Sequence, residues 1–343
     1  MIRLNKLYIA IVVILIVLAK PYSSFSQDPH FSQYFSSPLS LNPANTGFFD
    51  GDHRLAINQR QQWWNVGNTY STTSISADFK IMSEHIPQFD TFGIGFSGIF
   101  DRSSAGALKS NYISASASYH KNLSDEGKQI LGVGLQTTLA NRYVDFTRLT
   151  FASQYNGGFF DTSIPVNFGS SATNTHYLDV NAGVLYAVHL EGFNGYLGVS
   201  LYHINKPSET LYDAQVYTVP LRKTIHFGAE LNISDQSSLL LSGVYMNQKR
   251  VNDKLIGAAY SLKTINDYFN VDNIKLYVGL WYRLNESLIP YIGVDYNNWG
   301  VGLNYSTVAP TSSIYIYQPR TFELSLVYRY KSKFNQSLQC PRF

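Results

Sequence analysis

From Arg54 to Lys331 apolar and polar residues alternate with a period of two. "TFGIGFSGIF" places Phe92, Ile94, Phe96 and Phe100 on one face, with Gly93, Gly95 and Ser97 on the other. "LGVGLQTTL" sets Leu131, Val133, Leu135 and Leu139 against Gly132, Gly134, Gln136 and Thr138. "TIHFGAEL" sets Ile225, Phe227, Ala229 and Leu231 against Thr224, His226, Gly228 and Glu230, and "TFELSLVYRY" repeats the pattern from Phe322 to Tyr330. Alternation of this kind is the β signature. Stretches of about ten residues, apolar on one side and small or polar on the other, are the repeated signal of a transmembrane barrel. About 14 such segments begin near Arg54, Tyr70, Thr91, Leu108, Lys128, Thr175, Phe193, Leu221, Ser237, Asp253, Val271, Glu286, Asn298 and Arg320. Turn-forming runs such as "NLSDEG" and "SDQS" separate them. The pattern predicts an all-β fold, a transmembrane antiparallel up-and-down β-barrel with an even number of strands.

The first residues, "MIRLNKLYIAIVVILIVLAKPYSSFSQD", carry Arg3 and Lys6, an apolar run from Ile9 to Ala19 and a small-x-small site at Ser24 and Ser26. This predicts a cleaved secretory signal over 1–26 with the mature chain starting at Gln27. No later run is apolar and long enough for a membrane helix. The chain then divides into a periplasmic N-terminal segment (27–53), the barrel (54–331) and a periplasmic C-terminal tail (332–343). The longest predicted connections, 143–174, 206–220 and 308–319, all follow odd-numbered segments. Outer-membrane barrels carry long loops outside and short turns in the periplasm, so these should face outward. Loops on a rigid scaffold concentrate recognition, and Tyr155, Phe159, Phe160, Tyr315 and Tyr317 would supply the aromatic anchors.

Composition sharpens the picture. Charged residues make up 14% of the chain and aromatic residues 15%, with 26 Tyr, where a soluble domain carries about 25% charged residues. Tyr suits a membrane interface, its ring apolar and its tip polar. A net charge of +3 is too small to argue for nucleic acid. Cys340 is the single cysteine, which excludes an intrachain disulfide and a cysteine-based zinc cluster. "GIGFSG" (Gly93, Gly95, Gly98) matches a dinucleotide-binding expression but lies within one alternating strand, and it reads as lumen-facing glycine. No nucleophile elbow or H-E-x-x-H motif occurs, so no catalytic residue, cofactor or metal ligand is assigned. His226 falls on the polar face of its strand as a hydrogen-bonding wall residue.

Two stretches stand outside the alternation. "QDPHFSQYFSSPLSLNPANTG" (27–47) is too aromatic for a simple disordered tail, and "RQQWW" (60–64) ends the first segment. Phe31, Tyr34, Phe35, Leu39 and Leu41 are expected to pack into the periplasmic mouth or lumen, to form a docking surface for a periplasmic partner, or, as the favoured reading, to do both as a folded periplasmic collar that narrows the pore and presents a binding surface. The matching positions Asp28, Pro29, Phe31, Gln33, Tyr34, Pro38, Leu41, Asn42, Pro43, Gly47, Arg60, Gln62 and Trp63, with the terminal Cys340, Pro341, Arg342 and Phe343, resemble the PorP/SprF family of type IX secretion and gliding proteins. The resemblance implies a non-enzymatic outer-membrane barrel of Bacteroidota. Such a barrel serves export or surface anchoring of an adhesin bearing a type IX C-terminal signal. Its family-level partners, besides outer-membrane lipid, are periplasmic lipoprotein and peptidoglycan-binding subunits. It makes Asp28, Pro29, Phe31, Gln33, Tyr34, Asn42, Pro43, Gly47, Arg60, Trp63 and the terminal tetrapeptide candidate partner-binding positions. A barrel of about this size also suits a solute porin, the alternative function, although no cluster of Arg facing Asp and Glu is visible along the chain.

Overall fold

The computed structural model describes residues 28–65, 67, 69–82, 85–124, 126–166, 172–210, 216–264, 274–308 and 319–331. The predicted signal segment, Tyr315, Tyr317 and the tail with Cys340, Pro341, Arg342 and Phe343 lie outside them.

The barrel is closed and antiparallel, with 14 strands. In chain order the strands are β1 (His53–Gln62), β2 (Tyr70–Ile81), β3 (Thr91–Ser103), β4 (Leu108–Asn122), β5 (Gln129–Asp145), β6 (Ala172–Leu190) and β7 (Phe193–Tyr202). After a small hairpin, β8 (Ser208–Thr210) and β9 (Val216–Thr218), come β10 (Arg222–Ser234), β11 (Ser237–Gln248), β12 (Val251–Thr264) and β13 (Ile274–Arg283). β14 (Ser287–Tyr296), β15 (Trp299–Val308) and β16 (Thr321–Tyr330) complete the ring, and β16 pairs with β1 from His53↔Tyr330 to Gln62↔Thr321. Apart from the closing pair β1–β16, every neighbour in the ring is sequential except β7–β10, where the hairpin forms its own two-stranded sheet.

The predicted alternation becomes an outside and an inside. Leu135, Leu139, Val278 and Ile292 point outward and stand 57–66% exposed, a surface that suits lipid and not water. Lumenal positions on β2–β5 are small or polar: Ser74, Ser76, Gly93, Gly95, Ser116, Gly134 and Thr138. Gly98 is an exception to the reading as lumenal glycine. A Cβ there would meet the outward Phe100 ring, so it faces lipid. The connections after β5, β7 and β15 are the long ones and share one end of the barrel, here the long-loop end; β6–β7, β10–β11 and β14–β15 turn tightly at the other, the short-turn end.

Candidate functional site

The stretch 28–52 is not a collar at the mouth. It lies inside the barrel and runs the length of the lumen. Asp28 sits at the long-loop end beside His203, Arg222 and Gln248, which directly follow β7, begin β10 and end β11. Asp52 sits at the short-turn end, where its amide donates to Tyr330 O. Phe31, Gln33, Tyr34, Leu39, Leu41, Asn42, Ala44, Phe48 and Phe49 are each at most 6% exposed. The docking surface expected from Phe31, Gln33, Tyr34, Leu39, Leu41, Asn42, Pro43 and Gly47 is therefore corrected: these buried residues are the filling of a plugged lumen. The physical reason is that a lumen wide enough to hold backbone is lined by groups able to satisfy it.

Local sequence makes the plug compact. Pro38 opens one helical turn (Pro38–Leu41) and Pro43 a 3₁₀ turn (Pro43–Asn45), positions where a missing N–H costs nothing. Asn42 caps the second turn, its Oδ1 accepting from Ala44 N at 2.9 Å. The same side chain donates through Nδ2 to Val184 O at 3.1 Å and meets His226 Nε2 at 3.0 Å. His226 is thus a hydrogen-bonding wall residue, as its place on the polar face predicted.

One half of the wall is polar and receives plug backbone. Gln136 donates to Leu39 O, Ser200 to Leu41 O, Arg222 to Ser40 O and His120 to Ala44 O, at 2.7–3.1 Å. Glycines let that backbone in. A Cβ on Gly134 would stand 2.4 Å from Ala44 N, one on Gly93 2.8 Å from Thr46 O, and one on Gly183 1.8 Å from Asn42 Oδ1. The other half is apolar: Leu240, Val244, Leu255, Trp281, Ile289 and Tyr291 pack on Tyr34, Phe35 and Leu41. Sequence reasoning missed this half, because in "SSLLLSGVYM" apolar residues fall on both faces.

Two buried carboxylates pin the plug. Glu323 accepts from Ser32 N at 2.7 Å and Gln33 N at 2.8 Å and pairs with Arg60 Nε at 3.1 Å. Arg60 and Glu323 are register partners across the β1–β16 seam. Arg60, a candidate partner contact, is only 3% exposed and instead closes the barrel and holds the plug. At the other end Asp78 takes Arg54 Nε and Nη2 at 2.9 and 2.8 Å and Gly47 N at 2.8 Å. Glu323 and Asp78 were not singled out in sequence; the available signal was a carboxylate among small and polar residues on the lumenal face of its strand.

At the long-loop end Asp28 joins His203 at 2.7 Å and Arg222 at 3.2 Å, while Asp179 meets the other His203 nitrogen at 3.0 Å. Burial alone would push the His203 ring down, but the Asp28 and Asp179 carboxylates hold it at about 9. Burial would raise the Asp28 carboxyl; His203 and Arg222 hold it well below the usual range. Arg283 reaches Asp253 at 3.4 Å and Ser32 Oγ at 3.2 Å. The Arg and acid cluster that the sequence hid is present, brought together from β1, β6, β10, β12, β13 and β16 and neutralised by pairing.

Above the plug a vestibule of about 580 Å³ opens, floored by Asp28, Pro29 and His30 and rimmed by Trp63. Trp63 is 43% exposed and packs edge-on against Tyr70 at 5.0 Å. Outside it, Tyr155, Phe159 and Phe160 are 51–65% exposed on the β5–β6 connection. Tyr155 and Phe160 pair there around an Asn156-Gly157 turn.

No curated protein sequence matches the chain. Among solved structures, the toluene transporter TbuX of Ralstonia pickettii aligns over 84% of this chain and 92% of its own at 9% identity, with a TM-score of 0.50. That likeness is one of fold. The toluene transporter TodX of Pseudomonas putida aligns over 88% and 98% at 10% identity and a TM-score of 0.49. The model of the type IX secretion system membrane protein family PorP/SprF matches residues 23–328. A membrane-protein family match over nearly the whole chain, on a closed barrel with a lipid-facing wall, fixes both place and lineage: the chain belongs to the PorP/SprF family of type IX secretion and is a barrel of the outer membrane.

Proposed function

We propose that this barrel is a non-enzymatic, non-conducting scaffold of the type IX machinery that holds a secreted adhesin, one bearing a type IX C-terminal signal, at the cell surface. The observation that carries the reading is the filled lumen. A porin is built around water, whereas here a segment with both polar and apolar contacts occupies the interior. The working surfaces are then the ends. In this reading the long-loop end faces outward, and Tyr155, Phe159 and Phe160 anchor the adhesin, with Tyr315 and Tyr317 on the last long connection as further candidates. The short turns, and the terminal Cys340 to Phe343, face periplasmic lipoprotein and peptidoglycan-binding subunits.

Two measurements test this. Liposomes carrying the protein should not swell in small sugars, whereas a variant lacking 31–49 should. Swelling by the intact protein would restore the porin reading. In cells, Phe159→Ala with Phe160→Ala should lower adhesin on the surface at unchanged barrel abundance; undiminished display would remove that loop from the proposal.

A further inference from the structure

Beside Asp28, Pro29 and His30 a space remains between the plug and the walls of β2–β6, toward the long-loop end. The vestibule there has the size of a small-molecule site, and its lining has a specific chemistry. Its ionic groups are largely spent on one another. Arg142 makes two bonds to Glu209 of the β8–β9 hairpin, at 2.6 and 2.7 Å. Asp28 is held by His203 and Arg222, Arg60 by Glu323, and Lys249 at the rim is engaged as well. An anionic ligand would meet cations already held by these carboxylates, and a purely apolar one would strip water from many polar groups.

What the walls offer besides are tyrosine side chains and neutral or accepting hydrogen-bond groups. Tyr112, Tyr177 and Tyr70 stand on the lumenal faces of β4, β6 and β2, and Tyr217 closes the hairpin side. Asp101 accepts the Thr72 hydroxyl at 2.5 Å, and a carboxylate has acceptor sites for further hydroxyls. Rings that meet C–H faces, beside a carboxylate and hydroxyls that meet O–H groups, are complementary to a polyhydroxylated ring compound. We propose that the vestibule binds a neutral oligosaccharide, held by Tyr112 and Tyr177 and by Asp101. The site is independent of the adhesin reading, since it uses the lumenal walls and not the loop tips.

Saturation-transfer NMR on the full protein in detergent, with maltotriose, mannotriose and the N-acetylglucosamine trimer as probes, tests this. Transfer to at least one trimer is expected. Its affinity should fall at least about tenfold in Tyr112→Ala with Tyr177→Ala, and also in Asp101→Asn. Tyr177→Phe keeps the ring face and should retain binding. Each variant is checked for the mobility shift of a folded barrel, and if the alanine pair fails to fold, Asp101→Asn against Tyr177→Phe decides. Absence of transfer to all three trimers overturns the proposal. Unaltered binding in the variants does so too, as does stronger transfer to a Gly-Ser-Thr-Gly peptide, which would mark a peptide site.

Discussion

At the scale of single residues, the wall glycines and two carboxylates decide whether the plug can seat. Gly183 faces an Asn42 side chain already committed to Val184 and His226, so Gly183→Val has nowhere to push it. Overpacking of this kind costs about 1–3 kcal/mol, and the guanidinium midpoint in detergent should fall accordingly, while Gly157→Val, with open space around it, should cost mainly backbone strain in the loop. Glu323→Ala strands Arg60 in the interior and orphans two plug amides; removing one partner of a buried pair costs about 3–5 kcal/mol. His203 adds a pH dependence. Its folded pKa of about 9 exceeds the ordinary value of 6.5, so its stabilisation is fully present below about 6.5 and lost as pH rises through about 9. The Asp28 carboxyl is shifted the other way and contributes above its ordinary value. A spin label at Pro29→Cys, in a Cys340→Ser background, should be immobile near pH 7 and mobile near pH 10, and Asp28→Asn should leave it mobile at both. An immobile label at high pH would show that the Arg222 pair and the backbone contacts of Ser32 and Gln33 hold the arm without the imidazolium.

At the scale of elements, strands were legible and the plug's place was not. Predicted starts at Tyr70, Thr91, Leu108, Phe193 and Ser237 coincide with β2, β3, β4, β7 and β11, because period-two patterning against lipid is a local property. Val271 lies outside the described residues, and β13 begins at Ile274. The β8–β9 hairpin went unseen because Ser208–Thr210 and Val216–Thr218 are too short to show a period; its position rests on Arg142 and Glu209. Arg142→Ala should therefore free the hairpin, seen as faster amide exchange at Glu209 and Tyr217 with the barrel strands unchanged. Removing 31–49 should leave the β1–β16 seam intact, since Arg60 and Glu323 still face each other. That variant should still show the heat-dependent mobility of a closed barrel, at a lower transition temperature.

At the scale of the whole molecule, closure leaves no strand edge, and the outer wall is apolar. The protein should remain with the outer membrane through high-salt washing, and unboiled samples should migrate apart from boiled ones; release by salt would contradict a lipid-facing wall. Residues 28–52 occupy the lumen, a feature that length and strand count do not reveal.

The amino-acid pattern by itself determined the barrel, its strand number, the two faces of the strands that alternate cleanly, and the end that carries the long connections. Each depends on near neighbours or on a repeated period, and lipid outside selects one face of every strand. Tertiary structure alone decided that 28–52 fills the lumen and that Arg60 closes the seam with Glu323. It also decided that Asp28 meets His203 and Arg222. Those contacts join residues far apart in the chain. They form only because ring closure sets the lumen's width, and that width lets glycines such as Gly134 and Gly183 admit a second backbone.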